Sequence, residues 1–383
     1  MWTKLKRGLW LLSSLEASLI LLSLLFIIVL VGTFAQIYHG IYYVQKVFFQ
    51  SIFIWADFAS VSLPVFPGGG LVGTVLVISL SLSTALRLRW NWRNSGLIII
   101  HVGLIILLVG AGLTSLVSEE SQLYLEEGDQ SFYSEHLYKS DLIIFDTSKA
   151  KSDLVTAVPV SLLKQKKRIK ADSLPFDITV HQFFDNAKLS SSTDKDYQNS
   201  RINEGIGKHL SILPLKAFTK DDKRNNPTAI ISFESDTQQT GRFLFALDIK
   251  GAQKFSMNGK SYYALIQPKR FYFPFFVELK KFTREYYPAS NIPKEYSSLV
   301  KIKEFNPPST REVLIYMNHP LRHKGHTFYQ ASFGEKTPSS VLQVVRNPSW
   351  YFPYFSSCLI AFGMILHFMI RLAAFRRRHE NNT

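Results

Sequence analysis

The sequence predicts a membrane protein: four transmembrane α-helices, with a large β-rich extracytoplasmic domain between the third and the fourth. Three observations predict it. Four stretches, 17–45, 58–86, 94–118 and 347–370, carry no Asp, Glu, Lys or Arg. Each holds about 20 or more mainly apolar residues, the length that crosses ~30 Å of hydrocarbon as a helix. The region 118–350 instead breaks into short β-branched and aromatic runs separated by polar, Gly, Pro and Asn residues, as antiparallel sheets require. Finally, the 11 Lys and Arg residues outside that region fall almost entirely into three clusters.

The elements follow in order. Residues 1–16 open with a basic, aromatic lead-in (MWTKLKRGLW) suited to a membrane surface. The first span covers about 17–38; it is too long and too apolar for a cleavable signal peptide. The loop 39–70 is rich in aromatics (IYYVQKVFFQSIFIW) and ends in PVFPGGG, which predicts a segment lying in the interface. The second span is about 71–88. After the turn RLRWNWRN, the third is about 96–116, with Asn94 or Ser95 as its N-cap. In 118–350 the predicted strands are DLIIFD, FDITVHQFF, TAIISFE, GRFLFALDI, SYYALI, FPFFVEL, EVLIYMN, HTFYQASF and SVLQVVRN, arranged as a sandwich or barrel. The polar stretch 186–208 is expected to be a mobile loop. The fourth span is about 353–371. The domains are therefore 1–117, a membrane region with three helices; 118–350, the β-rich domain; and 351–383, the last helix with its basic tail.

Charge sets the orientation. Lys4, Lys6 and Arg7 precede the first span, Arg87, Arg89 and Arg93 separate the second from the third, and Arg371, Arg376, Arg377 and Arg378 follow the fourth. Only Lys46 falls elsewhere. With four crossings all three clusters lie on one side, so both termini are cytoplasmic and 118–350 is outside. The net charge of +15 is mostly this signal: 118–350 contributes only +7, without long runs, so no nucleic-acid partner is implied. The one cysteine, Cys358, lies inside the fourth span. With no CxxC and no CxxCH, the chain is neither a dithiol oxidoreductase nor itself a c-type cytochrome.

No hydrolase elbow, phosphate loop, HExxH or paired zinc ligands occur, and no catalytic residue is assigned. Chemistry rests on ten histidines. His101 sits about one and a half turns into the third span, and His367 one turn from Arg371 in the fourth, both at similar depth. Ionisable groups there are costly and face a bundle interior or a cofactor. One reading is a neutral imidazole in an interhelical hydrogen bond. The sharper one is axial ligation of haem iron, with Arg371 pairing a propionate. His319, His323 and His326 form an HxxxHxxH spacing, but Pro320 and Gly325 make it read as strand–turn–strand.

Several separated phrases then coincide with one family: GTFAQIYHGIYYVQKVFFQSIF, PVFPGGGLVG, GLIIIHVGLIILLVGAGLTSLVSEESQLYLEEGDQSFYSE, FTREYYPASNIPKEYSSLV, MNHPLRHKGHTFYQASF and NPSWYFPYFSSCLIAFGMILHF. Together they resemble the ResB (CcsB) family of system II cytochrome c biogenesis proteins over nearly the whole chain, with about 150–280 weakly matched. The resemblance implies a multi-pass protein of the bacterial cytoplasmic (inner) membrane. It implies a partner of the CcsA (ResC) type carrying a WWD motif, and an apocytochrome c with CxxCH as recipient. The pair carries haem b across the bilayer and presents it for attachment. The family's third span carries a histidine thought to ligate haem, and the matching position is His101. No WWD segment occurs here, so the chain is expected to be the accessory half of a holocytochrome c synthase. The alternatives are a b-type haem subunit of a respiratory enzyme, using His101 and His367, and a membrane-anchored ectodomain for binding or sensing.

Overall fold

The computed structural model describes residues 2–58, 61–147, 154–191, 202–220, 224–334 and 337–380. Helices α1 (Trp2–Leu12), α2 (Leu15–His39) and α3 (Ile41–Val44) lead through a π-helical turn, Gln45–Phe49, into the hairpin β1 (Phe53–Phe58) and β2 (Val61–Pro67). Helices α4 (Gly69–Leu86) and α5 (Ser95–Val117) follow, then strands β3 (Glu119–Glu126), β4 (Gln130–Asp146) and β5 (Leu154–Pro159). After the short α6 (Val160–Gln165) come β6 (Arg168–Ile169), β7 (Asp177–Phe184), β8 (Ala187–Ser190), β9 (Ser211–Pro214), β10 (Thr228–Glu234) and β11 (Phe243–Ala246). The next strands are β12 (Gln253–Met257), β13 (Lys260–Tyr286), β14 (Pro293–Glu304), β15 (Thr310–Tyr316), β16 (Leu321–His323), β17 (His326–Phe333) and β18 (Ser339–Arg346). Helix α7 (Phe352–Glu380) is the last element.

The chain forms two compact units. The first comprises 1–119, 219–221 and 346–383; the second comprises 120–218 and 222–345. Four helical segments of the first unit, Leu15–His39, Gly69–Leu86, Trp92–Val117 and Phe352–Arg377, are long and apolar enough to cross a membrane. Unpaired backbone groups are costly in lipid, so helix ends need partners. The α1–α2 break is served in this way. Ser14 caps α2, its Oγ accepting from the Ala17 N–H at 3.1 Å. Arg87 at the end of α4 donates to Ser13 Oγ at 2.9 Å and to the Trp10 carbonyl at 2.6 Å. Ser79 in α4 donates to the Leu12 carbonyl at 2.7 Å. The third long helix starts at one of the two expected caps, though without a side-chain capping bond. Asn94 takes the N-cap position without a side-chain bond, while Ser95 Oγ donates to the Trp92 carbonyl.

The aromatic segment after α2 folds back on the helices rather than trailing as a loop. Val44 is fully buried, and the Phe49 ring closes on Gly32. The run Gly68–Gly70 is explained by backbone contact. A Cβ on Gly68 would lie 2.2 Å from the Ser51 carbonyl oxygen, and one on Gly70 would lie 2.8 Å from that of Gln50.

In the second unit a ten-stranded sheet has the path β15-β14-β13-β4-β3-β18-β17-β16, with β12 on β13 and β5 on β4. A four-stranded sheet, β11-β10-β7-β6, packs its apolar side on residues of β4, β5, β12 and β13, around Phe176, Phe233, Phe255 and Tyr262. A separate core gathers Leu123, Leu125, Phe275, Val300, Phe328 and Leu342 from the remaining strands. Strand β13 supplies both cores. Its sequence reads as two strands, SYYALI and FPFFVEL, but they are one, interrupted by register shifts between Pro268 and Arg270 and between Tyr272 and Val277. A proline lacks the N–H that a ladder position needs, so Pro268 and Pro274 fall at these irregularities. The stretch 186–208 is not one loop: Ala187–Ser190 pairs with Ser211–Pro214 in β8–β9, and Ile206–His209 is a 3₁₀ turn. Residues 192–201 of it lie outside the described residues.

Candidate functional site

Helix α5 has two faces with different tasks. Gly96, Gly103 and Gly110, seven residues apart, are buried toward α7. A Cβ at Gly96 would meet the His367 backbone nitrogen at 2.5 Å, at Gly103 the Ile360 side chain at 2.6 Å, and at Gly110 that of Phe352 at 2.5 Å. The seven-residue repeat keeps one seam between the helices, and the absent side chains let the backbones touch. No flat macrocycle fits between α5 and α7 along this seam.

His101 lies on the other face, ~140° around from Gly96 at 3.6 residues per turn. Its Nδ1 is 3.0 Å from Oγ1 of Thr84 in α4. Thr84 is buried, and its Oγ1 also donates to the Leu80 carbonyl at 2.8 Å. Gly73 and Gly112 lie eleven residues from Thr84 and His101 respectively, each on the same face as its partner. A Cβ built on either meets nothing within 4 Å. The two open glycines lie ~16 Å along their helices from the Thr84–His101 contact, at 1.5 Å per residue. Val77 in α4, and Ile105 and Leu108 in α5, share these faces, so the one imidazole is set among apolar residues.

The other predicted residues do not converge there. His367 belongs to the α7 stripe that faces α5, its backbone against Gly96; its Nδ1 is buried without a hydrogen-bond partner. Arg371 is four residues on, at ~40° around the helix, and exposed. The two imidazoles are therefore on opposite sides of α5, because the glycine repeat rather than His101 faces α7.

In the second unit His323 lies between Arg311 and Glu304. Arg311 reaches its Nδ1 at 2.9 Å, and Glu304 Oε1 lies 2.5 Å from its Nε2. A guanidinium only donates, so Nδ1 accepts and the proton is on Nε2, close to the carboxylate but without the alignment of a hydrogen bond. Neither nitrogen keeps a free lone pair. Lys324, which also bonds Glu304, and His323 hold that carboxyl below the ordinary range. His319 stacks on Tyr316 at 4.1 Å, and its Nδ1 faces the Met317 carbonyl. The His-rich stretch is a strand–turn–strand, β16 to β17, fastened by these bonds. Among the described residues no three His, Cys, Asp or Glu side chains are grouped to hold a metal ion.

Two features were not singled out in the sequence. Thr84 carries no motif; its only signal is a hydroxyl within an uncharged span. A cleft of about 490 Å³ opens beside β3 and β4, which stay in register only at Gln122 opposite Glu135. Tyr124, Phe132, Tyr133 and Phe276 line it, and Arg270 bonds Glu135 at 3.1 Å while lying 4.1 Å over Tyr133.

A model of the ResB-like family matches residues 251–341, from just before β12 into β18. Over 300 residues the chain is 23% identical to Protein NrfI of Wolinella succinogenes, an alignment covering 78% of this chain and 30% of NrfI. The chain thus spans about 30% of the length of that relative.

Proposed function

We propose that the chain, whose residues 251–341 match the ResB-like family, is a member of that family and serves cytochrome c biogenesis as the accessory membrane subunit that receives haem from within the bilayer and hands it outward. The observation that carries this reading is the contact of His101 with Thr84, a single imidazole on an otherwise apolar helix face, with Gly73 and Gly112 open on the same faces of α4 and α5. Haem is the cargo; it brings the iron that a neutral imidazole ligates and the vinyl groups to which apocytochrome thiols attach. His101 holds the iron from one side. Val77, Ile105 and Leu108 keep the site apolar, which suits a macrocycle and excludes water.

The opposite placement of His101 and His367 favours a second axial ligand from a partner chain, here a WWD-motif membrane protein, over a bis-histidine site within this chain. It correspondingly disfavours a b-type electron-transfer subunit. The β-rich unit acts by docking, with apocytochrome c as recipient. The test is His101→Ala in the full chain, co-expressed with its partner. Holocytochrome c is expected to vanish and bound haem to fall sharply, with added imidazole restoring part of both. His367→Ala is expected to be milder. Normal cytochrome maturation by His101→Ala sinks the reading.

A further inference from the structure

Thr84 has two contacts and one proton. Its Oγ1 lies 2.8 Å from the Leu80 carbonyl oxygen and 3.0 Å from His101 Nδ1. A carbonyl oxygen only accepts, so the hydroxyl proton goes to Leu80, the usual partner of a threonine four residues on in a helix. Toward His101 the same oxygen then offers only a lone pair. Both contacts are satisfied together in one arrangement: His101 carries its proton on Nδ1 and donates it to Thr84.

From this geometry we infer that Thr84 is a positioning residue that fixes His101 as the Nδ1–H tautomer, leaving the Nε2 lone pair as the one available to iron. The proton assignment stands on geometry alone; its purpose rests on the reading that His101 ligates haem. Metal-bound histidines are commonly oriented in this way, the other nitrogen donating to an oxygen that sets ring and tautomer. Here the oxygen is a hydroxyl already committed to the helix backbone. Thr84 is 4% exposed, so water does not compete for the site. The free nitrogen is thus set before any ligand arrives, and no proton has to leave the imidazole on binding.

Two measurements on the full chain in lipid nanodiscs test this. The first is ¹⁵N NMR of histidine-labelled protein without haem, with the His101 signals identified by their loss in His101→Gln. Wild type and Thr84→Ser are expected to show Nδ1–H, and Thr84→Val, of similar shape but without the hydroxyl, a mixture of tautomers. The second is haem retention, measured by absorbance after purification with the partner. Thr84→Val is expected to retain haem roughly 10–100-fold more weakly, as for other residues that orient a metal ligand, and Thr84→Ser to match wild type. An Nε2–H signal in the wild type overturns the inference, as does a Thr84→Val protein unchanged in tautomer. If the tautomer shifts as expected but neither Thr84→Val nor His101→Ala alters bound haem, the haem reading fails and the assigned purpose of Thr84 fails with it. Equal weakening by Thr84→Ser and Thr84→Val would make Thr84 a packing residue and also overturn the inference.

Discussion

Tyr262 shows what a single residue can cost. Its ring is fully buried in the aromatic cluster of the second unit, 5.0 Å from Phe176 and 5.4 Å from Phe255. The hydroxyl within that cluster is buried without a hydrogen-bond partner. Burial and the nearby Asp146 push its phenol above the usual range, so it stays neutral. A buried orphan hydroxyl costs more than a bonded one returns. Tyr262→Phe keeps the ring and removes the orphan. It is expected to stabilise the second unit by about 1 kcal/mol, read as a higher denaturation midpoint of the full chain in detergent. A clear loss of stability would mean that the hydroxyl is bonded after all. The histidines show the same dependence on partners. His323 and His101 look alike in sequence, yet a guanidinium and a carboxylate occupy both nitrogens of one, and a hydroxyl only one nitrogen of the other. Residue type announces that chemistry is available; the partners decide whether it is used.

At the scale of elements, the pairing of α5 with α7 can be tested through its glycines. At Gly96 an added methyl meets the backbone of His367, with Cα at 2.7 Å, which cannot rotate away; at Gly112 it meets nothing within 4 Å. Gly96→Ala is therefore expected to push the helices apart and cost roughly 1–3 kcal/mol, whereas Gly112→Ala is close to neutral. Denaturant unfolding in detergent compares them, and equal effects would show that the seam is not where the repeat lies. Much of this level was legible. The charge-free stretches coincide with the long helices because a span has to exclude charge along its whole length. The seven-residue spacing of Gly103 and Gly110 is a signal of close helix contact that the sequence itself carries. What the sequence could not say is which helix covers which face, since hydrocarbon-exposed and helix-facing positions are both apolar. His101 and His367 therefore read as neighbours in depth without revealing that α5 stands between them. In the second unit the single strand β13 was hidden for a different reason. Pro268 and Pro274 look like strand ends in a local reading, but a long strand with partners on both sides absorbs them as register shifts.

For the whole molecule, orientation is the property on which the functional reading depends, and charge determines it. The second unit is inserted by two short connections, from Val117 into Glu119 and from Arg346 to Phe352. If each long helix crosses once, the insertion and the hairpin β1–β2 share a side, and the turn between α4 and α5 shares the other with the start of α2, preceded by the Lys and Arg of α1, and with the Arg-bearing end of α7. That turn holds Arg87, Arg89 and Arg93, and α7 runs on to Arg376, Arg377 and Arg378. Cytoplasmic loops retain such residues because moving them outward opposes the membrane potential, about 2.3 kcal/mol per charge per 100 mV. The second unit has more basic residues than both clusters, but long domains are exported largely regardless of charge, so its +7 does not compete. Reporter fusions after Arg93 and after Arg378 are therefore expected to read cytoplasmic, and fusions near Asn225 exterior. Changing Arg87, Arg89 and Arg93 together to Gln removes the central cluster and is expected to leave a mixed population. It also removes the Arg87 bonds to Ser13 and Trp10, so Arg89 and Arg93 changed alone provide the control. A cytoplasmic signal near Asn225 in the unaltered chain would put the docking surface on the wrong side for an exported apocytochrome, and the proposed transfer of haem outward would have to be abandoned.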